Sequence, residues 1–212
     1  MTGTGSPATR RYRGRSAADR RAERREQLMQ AGLELFGANG YGATSIEKLC
    51  STAGVSTRNF YEEFASREAL LMALHDRVVT QGLDDVLAKL AELEDAGLAE
   101  RVEAAVSLYI KATASDPRWA RVSYVELVGV SPAVEQHRLE WRERWAQFII
   151  SEAERGVARG EVKSRDFYLS ALSIIGAVNE LIYHYSLSST KITLEGVIAE
   201  VRRLTMALAV AP

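Results

Sequence analysis

The chain has one cysteine among its 212 residues, Cys50, so an internal disulfide is impossible. It has four prolines, at positions 7, 117, 132 and 212, and no apolar run approaching a membrane span. A spanning helix needs about 18 or more such residues in sequence, so none is expected. The N-terminal segment is polar and rich in arginine, without the apolar stretch of a secretion signal. Together with the unpaired cysteine, this leads us to expect a cytoplasmic protein. Scarce proline leaves long segments uninterrupted, and no segment alternates apolar and polar residues long enough for a persuasive strand. The expected class is all-α.

Chemistry is scarce too. The three histidines, His75, His137 and His184, are not spaced four apart from one another or from Cys50. That spacing predicts no metal site. There is no glycine-rich phosphate loop and no nucleophile elbow, so neither an enzyme nor a cofactor is expected.

Charge, by contrast, is plentiful and unevenly placed. The net charge is −1, yet eight arginines lie between Arg10 and Arg25 against Asp19 and Glu23. Residues 1–70 hold 11 basic and 8 acidic side chains, and the remainder 16 and 20. A basic head on an acidic body suggests that the head alone meets a polyanion.

Apolar periodicity and caps divide the chain into helices. After a polar stretch over residues 1–18, a first helix is expected from about Arg20 to Ala38, with Leu28, Ala31, Leu35 and Phe36 on one face. Gly40 is placed to end it. Thr44-Ser45-Ile46-Glu47 fits a capping box, so a second helix is expected to begin at Thr44 and end near Thr52. Gly54 supplies a tight turn. Ser56 then caps a third helix over about 57–64, and Ser66 a fourth. The fourth is expected near 67–93, with further helices near 98–114, 117–129, 132–159, 165–187 and 193–209. Pro117 and Pro132 suit first turns.

Three short helices packed around Phe36, Ile46, Leu49, Val55 and Phe60 make a helix-turn-helix unit. Its third helix is apolar on one side and carries Thr57, Arg58 and Asn59 on the other. Such a helix enters the major groove of DNA with its N-terminal residues at base edges. Arg58 suits guanine, Asn59 adenine, and Thr57 a thymine methyl or a phosphate. Thr44, Ser45, Ser56, Tyr61 and Arg67 are candidates for phosphate contacts that set register.

The stretch from Ala31 to Leu71 resembles the head of the TetR family of transcription regulators. It carries Leu-Phe, Gly-Tyr, Thr, Ile, Ala-Gly-Val-Ser, Phe-Tyr, Phe and Ser-Arg-Glu-Ala-Leu in order and spacing. Cys50 stands where the family usually has alanine. Glu62 and Glu63 stand near expected phosphates, so they are expected to point away or pair with Arg58 or Arg67. The resemblance implies a flexible arm over 1–19, a DNA-binding domain over 20–66 and a regulatory and dimerisation body over 67–212. It also implies a homodimer on a palindrome-like operator, with repression relieved by a partly apolar small molecule. Arg13 and Arg15, with Arg10 and Arg11, become candidates for contacts along the DNA backbone or in a minor groove.

For the dimer the resemblance points to the last two helices: Phe167, Ala171, Ile174, Val178, Leu181, Ile182 and Tyr185 on one, and Leu194, Val197, Ile198, Val201, Leu204, Thr205 and Leu208 on the other. The alternative is that the same faces pack within one subunit. Tyr109, Trp119, Tyr124, Trp141, Trp145 and Phe148 are candidate walls of a ligand pocket, or ordinary core. Asn179 is the first polar anchor, with His75, His137, Glu180 and His184 behind it. Two other readings stay open: a TetR-like DNA-binding protein without a ligand, and a helical interaction module whose head no longer binds DNA.

Overall fold

The computed structural model describes residues 16–187 and 191–210. Among them are nine α-helices and no strand: α1 (Ala17–Asn39), α2 (Ile46–Ala53), α3 (Thr57–Glu63), α4 (Arg67–Glu92), α5 (Leu98–Ala114), α6 (Pro117–Arg121), α7 (Pro132–Ala158), α8 (Tyr168–Ser186) and α9 (Leu194–Val210). The candidate arm residues Arg10, Arg11, Arg13 and Arg15 lie outside the described residues. No described helix is long and apolar enough to cross a membrane.

Local chemistry sets the helix ends. α1 begins at Ala17, ahead of the expected Arg20. Ser16 Oγ accepts from the Asp19 amide and the Asp19 carboxylate accepts from the Ser16 amide, each at 3.0 Å. The expected capping box at Thr44 is not formed. Ser45 is the cap instead, its hydroxyl accepting from the Lys48 amide at 3.3 Å. Thr44 is wholly buried and its hydroxyl donates backward, to the Gly40 carbonyl, at 2.8 Å. Gly54 ends α2 in the left-handed conformation, φ 65°, which costs glycine nothing. The expected helix over 117–129 is shorter and uneven. α6 gives way after Arg121 to a π-helical turn, Val122–Glu126.

The first core joins α1, α2 and α3 around Leu28, Phe36, Leu49 and Phe60, none of them exposed. It runs on into Leu70, Leu71 and Leu74 of α4, and into Val122, Leu127 and Val134 beyond α6. Cys50 is buried here as a small apolar residue. A second core holds Ile110, Ala120, Ile182, Val197 and Val201, and a third holds Val78, Val79 and Trp141.

The faces of α8 and α9 read as a dimer seam turn inward instead. Val197 and Val201 pack with Ile110 and Ala114 of α5, while Ala171, Ile174 and Ile182 are buried within the same chain. The outer side of α8 presents Leu169, 74% exposed, with Leu172 and Tyr183. Gly176 has open space above it. These positions recur at helical spacing on one stripe.

Candidate DNA interface and ligand cavity

α3 is held by its C-terminal end and left open at its N-terminal end. Ser56 caps it, accepting from the Asn59 amide at 3.2 Å. Thr57, Arg58 and Tyr61 are exposed, and Asn59 is half-buried. The Arg58 side chain is 89% exposed, with the Glu62 carboxylate 3.4 Å away. Ser45 is exposed at the start of α2. Lys48 is exposed one turn further on, and sequence reasoning passes over it. Thr44 has no free hydroxyl for a phosphate, because that hydroxyl serves the backbone. Arg67 is also engaged: its guanidinium donates to the Thr44 carbonyl and lies 4.1 Å above the Tyr41 ring.

Glu63 resolves the carboxylates that looked misplaced. Its side chain is 1% exposed and pairs with Arg21 and Arg24, each at 3.2 Å. Arg25 donates to the Glu63 carbonyl at 3.0 Å and stacks over Phe64 at 4.3 Å. Arg21 also reaches the Glu62 carbonyl at 3.3 Å. Cations at a helix C-terminus complement its dipole. Three arginines of the basic run therefore brace α3 from behind. The signal is in the spacing: positions 21, 24 and 25 share a helix face with Leu28.

The body holds a cavity of about 170 Å³ between α4, α5, α7, α8 and α9. Tyr109, Tyr124, Trp141, Trp145, Phe148 and Asn179 line it, together with His75. Trp119 does not. It packs between the first and third cores, which corrects its reading as a pocket wall. His137, Glu180 and His184 are likewise not on the wall. The Tyr109 and Trp145 rings are 4.1 Å apart, and Phe148 stands edge-on to Trp145 at 5.5 Å. Aliphatic walls come from residues such as Val102, Val106, Ile174 and Val178.

Polar groups are few and mostly neutral. Tyr124 and Thr113 share a hydroxyl bond of 2.9 Å. Burial pushes the Tyr109 phenol well above its ordinary value, with Tyr124 adding to the effect, and burial raises Tyr124 as well. Both hydroxyls thus stay protonated at neutral pH. Ser123 Oγ is buried on the wall without a hydrogen-bond partner among the described residues. Such orphaned groups are costly unless something supplies the missing bond. Arg138 and Arg142 add positive charge to the lining. Glu152 also lies there, tied to the buried Arg101 by bonds of 2.8 and 2.7 Å. His75 is held neutral: burial, then His137 and Arg138, lower its pKa to about 3.

One segment touches both sites. The π-helical turn sends Ser123 and Tyr124 to the cavity, while Glu126 accepts from the Tyr41 amide at 2.6 Å. Arg121 fixes Glu126 at 2.7 Å and donates to the Ala38 carbonyl at 3.2 Å. The approach of α1 to α6 is close. A β-carbon on Gly37 would lie 2.7 Å from Arg118 Cβ and 3.0 Å from its Cα.

The comparisons match both halves. Residues 28–74 fit the family model described as bacterial regulatory proteins, tetR family, and residues 95–188 that described as tetracyclin repressor-like, C-terminal domain. The chain belongs to the TetR family. It is a DNA-binding transcription regulator, and its relatives are regulators rather than enzymes. It is 23% identical over 166 residues to the fatty acid metabolism regulator protein of Bacillus subtilis, covering 78% of this chain and 84% of that one. It is 26% identical over 172 residues to the EthR transcriptional regulator of Mycolicibacterium smegmatis, covering 79% and 78%. The FadR structure from Bacillus subtilis, solved with stearoyl-CoA, matches the fold with a TM-score of 0.75 at 22% identity, covering 87% of this chain and 97% of that one.

Proposed function

We propose that this TetR-family regulator is a cytoplasmic homodimeric repressor released from its operator by an elongated, largely apolar effector, with a fatty acyl thioester as the leading class. Residues 20–66 read the DNA, and 67–212 dimerise and bind the effector. Each head places the N-terminal end of α3 in a major groove, with Arg58 and Asn59 at base edges and Ser45, Ser56, Thr57 and Tyr61 toward phosphates. Two heads related by a twofold axis read a palindrome-like site, with half-sites ~34–36 Å apart or somewhat more. The outer stripe of α8, Leu169, Leu172, Gly176 and Tyr183, is the surface we assign to the dimer. No catalytic step is needed.

The observation that carries this reading is the cavity: apolar and aromatic around most of its wall, with neutral hydroxyls and the orphaned Ser123 Oγ inside. The acyl class is supported by the Bacillus subtilis FadR complex with stearoyl-CoA. Arg142, on the lining, suits its anionic portion. An effector pressing on Ser123 and Tyr124 shifts the turn whose Glu126 holds the Tyr41 amide, and with it the end of α1. Release requires the effector to bind the shifted state more tightly than the DNA-bound one.

Thermal unfolding with a long-chain acyl-CoA, free CoA and no addition tests the effector class. A ligand at a hundred times its Kd stabilises the native state by ~2.7 kcal/mol. The expected result is a clear rise in Tm with acyl-CoA and little with CoA. No rise with any acyl-chain length rules the class out.

A further inference from the structure

Histidine spacing in the sequence argues against a metal site, yet the fold brings two histidines together. α4 carries His75 and Asp76, and α7 carries His137. His75 Nδ1 stands 3.0 Å from His137 Nε2, and Asp76 Oδ1 lies 3.6 Å from the same nitrogen. One donor atom from each of the three residues falls within 4.8 Å of the others. A tetrahedral zinc ion with bonds of ~2.0–2.1 Å sets neighbouring donor atoms about 3.3–3.4 Å apart. The two observed separations bracket that spacing.

We infer that His75, His137 and Asp76 form a binding site for a divalent transition-metal ion of the zinc type, with solvent as the fourth ligand. Two imidazoles and a carboxylate are a donor set that zinc accepts readily. The Trp141 indole N–H donates to Asp76 Oδ1 at 2.7 Å. Partners of this kind orient a metal's carboxylate ligand from outside.

Access and charge also fit. The Asp76 side chain is 52% exposed, so an ion can enter from solvent, while His75 is buried behind it. Arg138, the nearby cation, is paired with Glu135 at 2.5 Å. The site joins α4 to α7 beside Trp141, which with His75 lines the cavity. A bound ion would therefore fasten together two helices that border the effector.

The full-length protein, stripped of metal by a chelator, is titrated with Co2+ and then Zn2+, with bound metal counted after dialysis. The expected result is one ion per chain, visible Co2+ bands of tetrahedral coordination, and their loss on competition with Zn2+. Trp141→Phe is expected to weaken binding by ~10–100-fold. His137→Gln and Asp76→Asn should weaken it further, and His184→Ala should leave it unchanged. Asp76→Asn alters a half-exposed group, so circular dichroism separates lost binding from lost fold. The site is overturned if the wild type binds no ion, or if folded His137→Gln and Asp76→Asn bind as the wild type does.

Discussion

The head and the body are both built from helices, to opposite ends. In the head, Leu28, Phe36, Leu49 and Phe60 are completely buried and close around one another. In the body, Tyr109, Trp145 and Phe148 stack along one another's faces and edges but leave about 170 Å³ unfilled. A full core favours one shape, as an element that must match a groove requires. An unfilled apolar space forfeits packing contacts that a ligand can restore. The contrast separates a part that reads from a part that responds.

The largest expected effect that sharpens this contrast is on stability. Phe60→Ala should cost ~3–5 kcal/mol and abolish DNA binding. Phe148→Ala, on the cavity wall, should cost clearly less and weaken effector binding instead. Equal losses in denaturant titrations would break the distinction. Overpacking comes next. Gly37→Ala drives a β-carbon to 2.7 Å from Arg118 Cβ and should cost about 1–3 kcal/mol. Ala105→Leu, pointing an enlarged side chain into open space, should stay within about 1 kcal/mol of the wild type and remove the effector response.

A third prediction separates reading from folding. Arg58→Ala should weaken operator binding by ~1–3 kcal/mol and relax base preference, with Tm unchanged. A drop in Tm of similar size would mean that Arg58 supports the fold. The smallest effect concerns the ion pair between α1 and α4. The Glu26 carboxyl is held below its usual 4.5, first by its bond to Arg77 and then by Gln30. Its folded pKa is depressed, so its contribution is present above about pH 4.5 and lost as pH falls further. Being largely exposed, it should amount to well under about 1 kcal/mol. Glu26→Gln should therefore flatten the acid limb of a Tm–pH curve only slightly.

Legibility in the sequence follows the same division. Head helices announce themselves through local chemistry: Ser56 and Ser66 cap where expected, and Gly54 turns where expected. Thr44 misleads because a capping box and a buried hydroxyl bonded to Gly40 have the same sequence. Which of two adjacent hydroxyls caps α2 depends on packing against α1. Glu63 looks wrong for DNA until Arg21 and Arg24 are seen across from it, a tertiary fact with only a weak helical-spacing signal. In the body, apolar stripes on α8 and α9 tell that something is covered, not whether a second chain covers it. Val197 and Val201 face α5, and the exposed stripe lies elsewhere. The aromatic residues were legible as a group, but Trp119 parts from them by packing between the first and third cores. The pairing of His75 with His137 has no counterpart in local sequence.

The central claim is that the body's cavity controls the head's grip on DNA. Its most direct test is the anisotropy of a labelled duplex, selected from random DNA by the protein, titrated with and without long-chain acyl-CoA at fixed salt. The account predicts tight binding to the selected duplex over a scrambled one, weakened at least tenfold by acyl-CoA and left intact by CoA. An operator affinity unmoved by saturating, bound acyl-CoA would contradict it.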